Sequence, residues 1–345
     1  MQLEDHWKYQ LANRITTMKK LSKYIELDET EIASSKLPMA ITPYYAKLIA
    51  GSEYNYPLRR CVVPTIFEQS EEGIADPLGE EKDSINEILV HRYPDKVLLL
   101  ATSSCATYCR YCTRSRIVGR KKINLKKKLD QSLEYIRKNK IRDVLISGGD
   151  PLTMEDEEID YLLSRIREVK SVEIVRIGTK VPVVLPQRIN QKLVSILRKY
   201  HPLYISIHFT HPDEITKECS LACELLANAG IPLGSQTVLL KGINDNANTL
   251  IELFNKLLTL RVRPYYLYQC DPVKGSMHFR VPLKDGIDIM RSIIGFTSGY
   301  AVPTFVVDLP NGGGKVPVTP NYIVEEDEDS ITFINFKKIK YRVQK

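Results

Sequence analysis

The chain has 345 residues, of which 43% are hydrophobic and 26% charged, a composition that is ordinary for a globular protein. It contains no apolar run of about 18 residues, and its first residues, MQLEDHWKYQ, lack the apolar core of a secretory signal, so we expect a cytoplasmic protein with no membrane partner. The net charge of +7 is mildly basic, and the short lysine runs carry no interleaved aromatic residues. We therefore interpret these runs as solvated surface and expect no nucleic-acid partner.

The chain begins with a polar region, up to about residue 90, that we predict to be helical because apolar residues recur near helical spacing in HWKYQLANRITTMKKLSKYI. Seven short apolar segments then predict strands: KVLLLA (96–101), DVLISG (143–148), EIVRIG (173–178), LYISIHF (203–209), LGSQTVLL (233–240), PYYLYQ (264–269) and PTFVVD (303–308). Five amphipathic stretches between them predict helices: 129–140, 155–169, 190–200, 214–229 and 247–261. Strands that alternate with helices indicate parallel βα units and a sheet buried on both faces.

Six or seven βα units favour a closed or partial barrel over a doubly wound sheet. We therefore predict an α/β fold with a partial (β/α)6-type barrel over residues 91–310. An N-terminal helical region, 1–90, would precede the barrel, and a glycine–lysine segment with a short extension, 311–345, would follow it. Polar or glycine-rich groups end most of the predicted strands. Residues at the carboxyl ends of barrel strands converge on one mouth, so we expect one active site there.

Three of the seven cysteines, Cys105, Cys109 and Cys112, lie within eight residues. An odd cysteine count in an apparently cytosolic chain argues against a disulfide scaffold. Thiolates suit iron–sulfur clusters or zinc. A zinc knuckle usually has a second cysteine pair, whereas the other four cysteines are scattered. Three ligands on a four-iron cluster would leave one iron open to a group that is not protein.

Two glycine-rich segments are candidate ligand sites. Ser147-Gly148-Gly149-Asp150 ends a predicted strand, where paired glycines form either a plain turn or a close approach of the backbone to a ligand. Asn311-Gly312-Gly313-Gly314-Lys315 is either a linker or a backbone cradle for an anion with a lysine beside it. It is not a P-loop, because the spacing GxxxxGK[ST] is absent. A lysine beside a phosphate cradle suits pyridoxal phosphate (PLP), which enzymes hold as a Schiff base.

The cysteine segment CATYCRYC matches the radical S-adenosylmethionine (SAM) pattern CxxxCxxC, including an aromatic residue, Tyr111, before the last cysteine. Further segments resemble the lysine 2,3-aminomutase family of PLP-dependent radical SAM enzymes. They are HRYPDKVLLL, CTRSR, LISGGDPL, VRIGTKVPVVLPQRI, YYLYQCD, SGYAVPTFVVD and GGGKVPVTPNY. The resemblance runs from about residue 7 to about residue 335, with the motifs in the same order. It implies a radical SAM barrel, a [4Fe–4S] cluster on the three cysteines, SAM chelated at the open iron, and PLP.

The resemblance also implies roles for individual residues. Lys315 corresponds to the catalytic lysine that binds PLP, and Arg114 to the arginine that pairs with the substrate α-carboxylate through a bidentate fork. Asp271 and Asp308 correspond to two carboxylates that hold the distal ammonium of lysine, since two converging acids need a cation between them. The residues implied on the SAM side are Tyr111, Ser147, Gly148, Gly149, Asp150, His208 and Gln236. Those implied near PLP are Arg92, Tyr93, Tyr268, Gly312, Gly313 and Gly314.

The implied reaction moves the amino group of L-lysine from C2 to C3, by way of an aldimine between substrate and PLP, to give L-β-lysine. An arginine 2,3-aminomutase is an alternative, because a guanidinium could also pair with Asp271 and Asp308. A second alternative is a lysine aminomutase that serves translation-factor modification, although that type lacks the Asp308 pattern. A metal-binding module without catalysis is disfavoured by the glycine–lysine segment and the ordered motifs. The expected partners are the amino acid, an electron donor such as ferredoxin or flavodoxin, and a second copy in a homodimer.

Two departures from the family pattern stand out. Lys96 stands where an arginine near the cofactor phosphate would be expected, which keeps the charge but loses the planar fork. Longer members carry a C-terminal cysteine-rich segment that binds zinc, whereas here no cysteine follows Cys270. We therefore expect no structural zinc of that kind.

Overall fold

The computed structural model describes residues 6–32, 35, 37–120 and 123–345, so the first five residues of the predicted helical region lie outside the description. The rest of that region forms short helices rather than long ones: α1 (Trp7–Ala12), α2 (Met18–Leu21), α3 (Pro43–Leu48) and α4 (Pro57–Arg60). The helical pattern breaks after α1 because Ile15, which is buried, pairs with Ile41 as an isolated β-bridge. Thr17 then starts α2 by accepting a hydrogen bond from the backbone of Lys20.

One ten-stranded sheet follows, and its strands lie side by side in chain order. The strands are β1 (Ser84–Asn86), β2 (Leu89–Tyr93), β3 (Lys96–Thr102), β4 (Asp143–Gly148), β5 (Ile174–Thr179), β6 (Leu203–His208), β7 (Leu233–Leu239), β8 (Val262–Gln269), β9 (Thr304–Leu309) and β10 (Gly314–Pro317). The pairs from β3 to β9 are parallel, and those at the two ends are antiparallel. The sheet order begins at β1 and ends at β10, as an open barrel requires, and the predicted fold class is confirmed.

Helices connect the successive parallel strands. They are α5 (Leu125–Lys138), α6 (Asp156–Arg167), α7 (Val181–Val184), α8 (Gln191–Arg198), α9 (Lys217–Asn228), α10 (Ala247–Thr259) and α11 (Leu283–Ile293). Each long helix buries one apolar stripe, as in α10, where Leu250, Leu253, Phe254 and Leu257 are buried. The five predicted helices correspond to α5, α6, α8, α9 and α10, whereas α7 and α11 were not predicted. A separate antiparallel sheet of β11 (Ile323–Glu326), β12 (Ser330–Ile334) and β13 (Lys340–Gln344) was also not predicted.

The two ends of the large sheet come together at the mouth of the barrel, where β10 contacts β2. The backbone N–H of Lys315 on β10 donates a hydrogen bond to the Tyr93 hydroxyl on β2, at 3.0 Å. Residues 76–83, which we call the acidic strap, also cross this gap: a Cβ on Gly79 would lie 3.1 Å from the backbone nitrogen of Gly312. The sheet therefore includes strands from before residue 91 and after residue 310, and the three-part division of the chain stays a prediction. Within the described residues, no helix is long and apolar enough to cross a membrane.

Candidate active site

The three clustered cysteines lie in the loop that follows β3, and the N-terminal region fixes this loop. Their thiols are free and half-buried. The backbone of Arg110, between the second and third cysteines, donates a hydrogen bond to the Cys61 carbonyl at 2.9 Å. Its buried guanidinium pairs with Glu68 and donates to the Leu37 carbonyl at 2.8 Å. Residues of the N-terminal region that lie outside helices α1 to α4 therefore hold the cysteine loop in place.

The thiol electrostatics fit a cluster with several irons. Burial and then the negative charges of Asp150 and the other two cysteines raise the pKa of Cys105, while burial and Cys109 raise that of Cys112 to about 11. Three thiolates at this spacing are thus stable together only beside a metal. Among the described residues, no group of three or more His, Cys, Asp or Glu is arranged to hold a metal ion. A [4Fe–4S] cluster accepts each thiolate on a different iron, so its ligands need not converge on one point.

The paired glycines at the end of β4 allow close packing against the cysteine loop. A Cβ on Gly148 would lie 2.2 Å from the Thr102 carbonyl oxygen, and one on Gly149 would lie 2.2 Å from that of Ser104. The backbone N–H of Asp150 donates to the Ser104 carbonyl at 2.7 Å. Glycine is therefore required here by a neighbouring protein backbone. The predicted contact of this segment with SAM stays a prediction.

The carboxylate of Asp150 links the ends of two strands. It accepts hydrogen bonds from the Thr179 hydroxyl and from the backbone N–H of Lys180, each at 2.7 Å, and from that of Leu152 at 3.1 Å. Burial raises the pKa of Asp150 in spite of these bonds. Its contacts in the structure are therefore with the protein, next to the cysteine loop.

Tyr111, His208 and Gln236 lie on neighbouring elements at the mouth. The Tyr111 hydroxyl is 2.9 Å from Nε2 of His208 and 2.8 Å from the Thr210 hydroxyl. Gln236 pairs with His208 in the β6–β7 register. Burial and then the charge of Lys180 hold the pKa of His208 well below its usual value, so this imidazole is neutral. Three of the residues predicted on the SAM side are thus adjacent.

The Lys180 side chain lies beneath this group and was missed by sequence analysis. Its amine is buried, pairs with Glu214 at 2.7 Å and donates to the Thr210 hydroxyl at 3.1 Å. Glu214 also accepts hydrogen bonds from the Tyr45 hydroxyl, at 3.1 Å, and from the backbone of Thr210, at 2.6 Å. The partners are 34 residues apart in sequence, so local spacing gave no signal for this pair.

Lys315 follows a left-handed turn and reaches the mouth from β10. Asn311, Gly312 and Gly314 have φ of +55°, +80° and +83°. The two glycines adopt such angles without strain. The Lys315 amine lies 2.8 and 3.0 Å from the two oxygens of Asp308 and 5.1 Å from the ring centre of Tyr268. An amine beside an aromatic ring and a glycine turn has the chemistry to bind PLP covalently.

Two cationic side chains, those of Arg92 and Lys96, lie near the turn. Arg92 faces Gly312, where a Cβ would lie 3.5 Å from its Nε, and it pairs with Asp83 of the acidic strap at 2.7 Å. The Lys96 amine lies 4.4 Å from the ring centre of Tyr93, so the lysine found in place of arginine stacks on the predicted PLP neighbour. These side chains supply positive charge near the glycine turn, as a phosphate requires.

The two predicted ammonium ligands influence each other. Asp308, at the end of β9, has a side chain only 5% exposed. Burial and then the negative charge of Asp308 raise the pKa of Asp271 to about 7, against the opposing charges of Lys315 and Arg280. A cationic ligand beside Asp271 would oppose this shift by stabilising the anionic form of the carboxyl.

Arg114 is already paired with a carboxylate of its own chain. Its Nε and Nη2 donate to Oε1 of Glu80 at 2.9 and 2.7 Å, and its Nη1 donates to the Ser147 hydroxyl at 3.1 Å. Sequence analysis missed Glu80, which is 34 residues away in an acidic segment that resembles ordinary surface. The predicted substrate residues lie at the carboxyl ends of the parallel strands, with Arg114 in the loop after β3, Asp271 just after β8 and Asp308 at the end of β9.

Comparison with known proteins agrees with this geometry. Residues 99–254 match the family model of the radical SAM superfamily, and residues 290–341 match the model described as lysine-2,3-aminomutase. The L-lysine 2,3-aminomutase of Clostridium subterminale is 49% identical over 96% of this chain and 82% of its own length. A putative L-lysine 2,3-aminomutase of Aquifex aeolicus is 45% identical over 98% and 94%. The glutamate 2,3-aminomutase of Clostridioides difficile is 43% identical over 95% and 79%.

The partial barrel and its cysteine loop are those of a radical SAM enzyme. More narrowly, the identity over almost the whole chain shows that it belongs to the lysine 2,3-aminomutase family. The predicted family, the isomerase class and the cofactor set of [4Fe–4S] cluster, SAM and PLP are thereby confirmed. The roles assigned to individual residues stay predictions that the geometry supports.

Proposed function

We propose that this protein converts L-lysine to L-β-lysine by moving the amino group from C2 to C3. The observation that carries the proposal is the pair of acids, Asp271 and Asp308, at the carboxyl ends of adjacent strands. Their mutual repulsion favours a ligand with a positive side chain, and Asp308 is already in contact with one amine, that of Lys315. Lysine provides that charge, and glutamate would add a third negative charge.

The residues of the chain would bind and orient the substrate. The Arg114 guanidinium would hold the α-carboxylate, and the two acids would hold the distal ammonium, so that C2 and C3 are fixed between the two anchors. Lys315 would hold PLP covalently, with Tyr268 packed beside it and Arg92 at the turn. When bound, the cluster with SAM supplies a carbon-centred radical and PLP delocalises an unpaired electron. The acidic strap across the mouth would limit the access of water.

The proposal also covers the electron donor, the oligomeric state, the cellular location and an alternative substrate. The cluster needs a one-electron donor, for which ferredoxin or flavodoxin is suitable, and we propose a homodimer in the cytoplasm. Arginine remains the second candidate substrate because its guanidinium is also a cation that Asp271 and Asp308 could bind. The longer guanidinium side chain would need more room between these acids and Arg114.

A substrate panel tests the proposal. We expect the reduced enzyme, loaded with all three cofactors under anaerobic conditions, to form β-lysine from lysine and little product from arginine or glutamate. Chromatography of derivatised products against β-amino acid standards makes the measurement. Formation of β-arginine or β-glutamate in place of β-lysine would show that the substrate assignment is wrong.

The Asp271 carboxyl should give the substrate affinity a pH dependence. Because its pKa is raised to about 7, this group is neutral below that pH and anionic above it. We expect KM for lysine to fall as pH rises from 6 to 8, at most by about tenfold per unit below the pKa. Asp308, Lys315, Arg280 and Glu80 are the charged groups that act on it.

The matched control for this pH profile is Asp271→Asn. The amino groups of the substrate also lose protons as pH rises, so the difference between wild type and variant isolates the Asp271 contribution. We expect the variant to have a raised KM with a flatter profile over the same range. A profile unchanged by the substitution would assign the titration to another group.

A further inference from the structure

We infer that Glu80 is a positioning residue that fixes the Arg114 guanidinium for the substrate α-carboxylate. The inference rests on the proposed function, because it assigns Arg114 to substrate binding. It adds a residue that the sequence motifs did not indicate.

The contacts between the two side chains define which part of the guanidinium is held. Oε1 of Glu80 accepts from Nε and Nη2 of Arg114 at 2.9 and 2.7 Å, and Oε2 accepts from Nε at 3.2 Å, so the carboxylate holds the Nε–Nη2 edge of the guanidinium. Ser147 accepts from Nη1 at 3.1 Å. A guanidinium has five N–H donors, and these contacts use Nε and one N–H on each terminal nitrogen. One further N–H on each terminal nitrogen is left for a second carboxylate.

Glu80 itself is held in place by a second arginine. Nη2 of Arg116 lies 3.1 Å from Oε2 of Glu80 and 3.0 Å from Asp76 of the same strap. The Glu80 side chain is only 5% exposed. Burial alone would raise the pKa of Glu80, but the attraction and hydrogen bonds of Arg114 and then Arg116 outweigh it and lower that pKa. The buried carboxylate is therefore anionic and has charged partners on both oxygens.

The acidic strap that carries Glu80 is anchored on both sides of the mouth. Asp83 pairs with Arg92 on β2 at 2.7 Å, and Gly79 lies against the turn that precedes Lys315. Before the strap, the backbone N–H of Ile74 donates to the Pro272 carbonyl at 2.7 Å, next to Asp271. Residues 74–83, which include the strap, thus contact the loops of Arg114 and Asp271 and the turn before Lys315.

These anchors favour a permanent positioning role over a placeholder that the substrate displaces. A placeholder carboxylate would have to leave Arg114 each time the substrate binds, and it would leave Arg116 at the same time. Displacing a buried, doubly paired carboxylate is costly because it removes charge-assisted hydrogen bonds from a site with little water. The two roles predict opposite effects of removing the Glu80 charge, so they can be separated.

The test compares Glu80→Gln with wild type by isothermal titration calorimetry. The enzyme carries its cluster and PLP but receives no SAM or reductant, so that binding is measured without turnover. The two titrants are L-lysine and 1,5-diaminopentane, which has the same chain and distal ammonium but no carboxylate. We expect Glu80→Gln to weaken lysine binding about tenfold or more, while the affinity for 1,5-diaminopentane is unchanged.

Glu81→Gln is the matched control, because Glu81 lies on the same strap and pairs with Arg116 at 3.2 Å but has a side chain 67% exposed. It should bind both titrants as wild type does. Unchanged or tighter lysine binding in Glu80→Gln would overturn the inference, and tighter binding would identify a placeholder. Equal losses for both titrants, or an equal loss in Glu81→Gln, would identify general damage to the site and also overturn it.

Glu80→Asp keeps the inference testable if Glu80→Gln does not fold. It preserves the charge but shortens the reach, so the simultaneous contact with Nε and Nη2 and part of the lysine affinity should be lost, and wild-type affinity would overturn the inference. Failure of the proposed substrate is distinguishable from these outcomes. If wild type binds another amino acid in place of lysine, the same comparison is made with that amino acid, since it also carries an α-carboxylate.

Discussion

Lys315→Ala is expected to abolish turnover, with a loss on the order of 10³-fold or more, equivalent to about 4 kcal/mol. The variant has no amine to bond with PLP and cannot hold that cofactor covalently beside Tyr268. The visible absorbance of lysine-bound pyridoxal should be absent after purification and gel filtration, and β-amino product should not form. Spectra and product assays at saturating PLP make the measurement.

Lys315→Arg separates the covalent role from the electrostatic one. The arginine keeps a positive charge near Asp308, which lies 2.8 Å from the native amine, but it cannot form the bond to PLP. We expect it to be as inactive as Lys315→Ala. Lys340→Ala is the control for lysine loss, because Lys340 lies on β13 and pairs only with Glu325 among the described ion pairs. Retention of the pyridoxal spectrum in Lys315→Ala would assign PLP to another lysine.

Cys109→Ser is expected to remove the cluster and, with it, at least about 10³-fold of the activity. A serine oxygen is a poor replacement for a soft thiolate on iron. After anaerobic reconstitution with iron and sulfide, the variant should contain much less of both and lack the broad brown absorbance of wild type. Metal analysis also separates the iron cluster from zinc.

Cys223→Ala is the matched control for cysteine loss. Cys223 is buried on α9 and belongs to the large apolar core rather than to the cysteine loop. Its replacement should cost some stability through a small cavity, with full iron content and activity per cluster. A wild-type iron content in Cys109→Ser would show that the ligand assignment is wrong.

The parallel strands could be predicted closely because their burial follows the sequence pattern. The segment DVLISG was predicted as residues 143–148, and β4 spans Asp143–Gly148 with alternate residues buried. The bounds of the five predicted helices were also found within a few residues, because each buries an apolar stripe that the sequence shows. The C-terminal sheet was missed because β11 and β13 are exposed along their whole length, so neither contains an apolar segment like those that predicted the strands of the barrel.

The candidate site was predictable where a motif is local and not where a contact is distant. The cysteine motif and the glycine–lysine segment can each be recognised from a few consecutive residues. The pairing of Glu80 with Arg114 and of Lys180 with Glu214 depends on how loops meet, and both pairs span 34 residues. The packing of Gly148 and Gly149 also depends on a distant contact. Their closest neighbours are backbone atoms at the start of the cysteine loop, whereas the sequence predicted a contact with SAM.

In the hairpin of β9 and β10, the length of the turn decides whether Lys315 lies opposite Asp308. Asp308 and Lys315 are directly opposite partners in its antiparallel register, and only the residues from Leu309 to Gly314 separate them in sequence. Side chains alternate between the two faces of a strand, so a slip of one residue would turn Lys315 away from Asp308 and put Val316 or Gly314 in its place. The length of the glycine turn therefore sets the distance between the Lys315 amine, which is predicted to bind the cofactor, and the Asp308 carboxylate, which is predicted to bind the substrate.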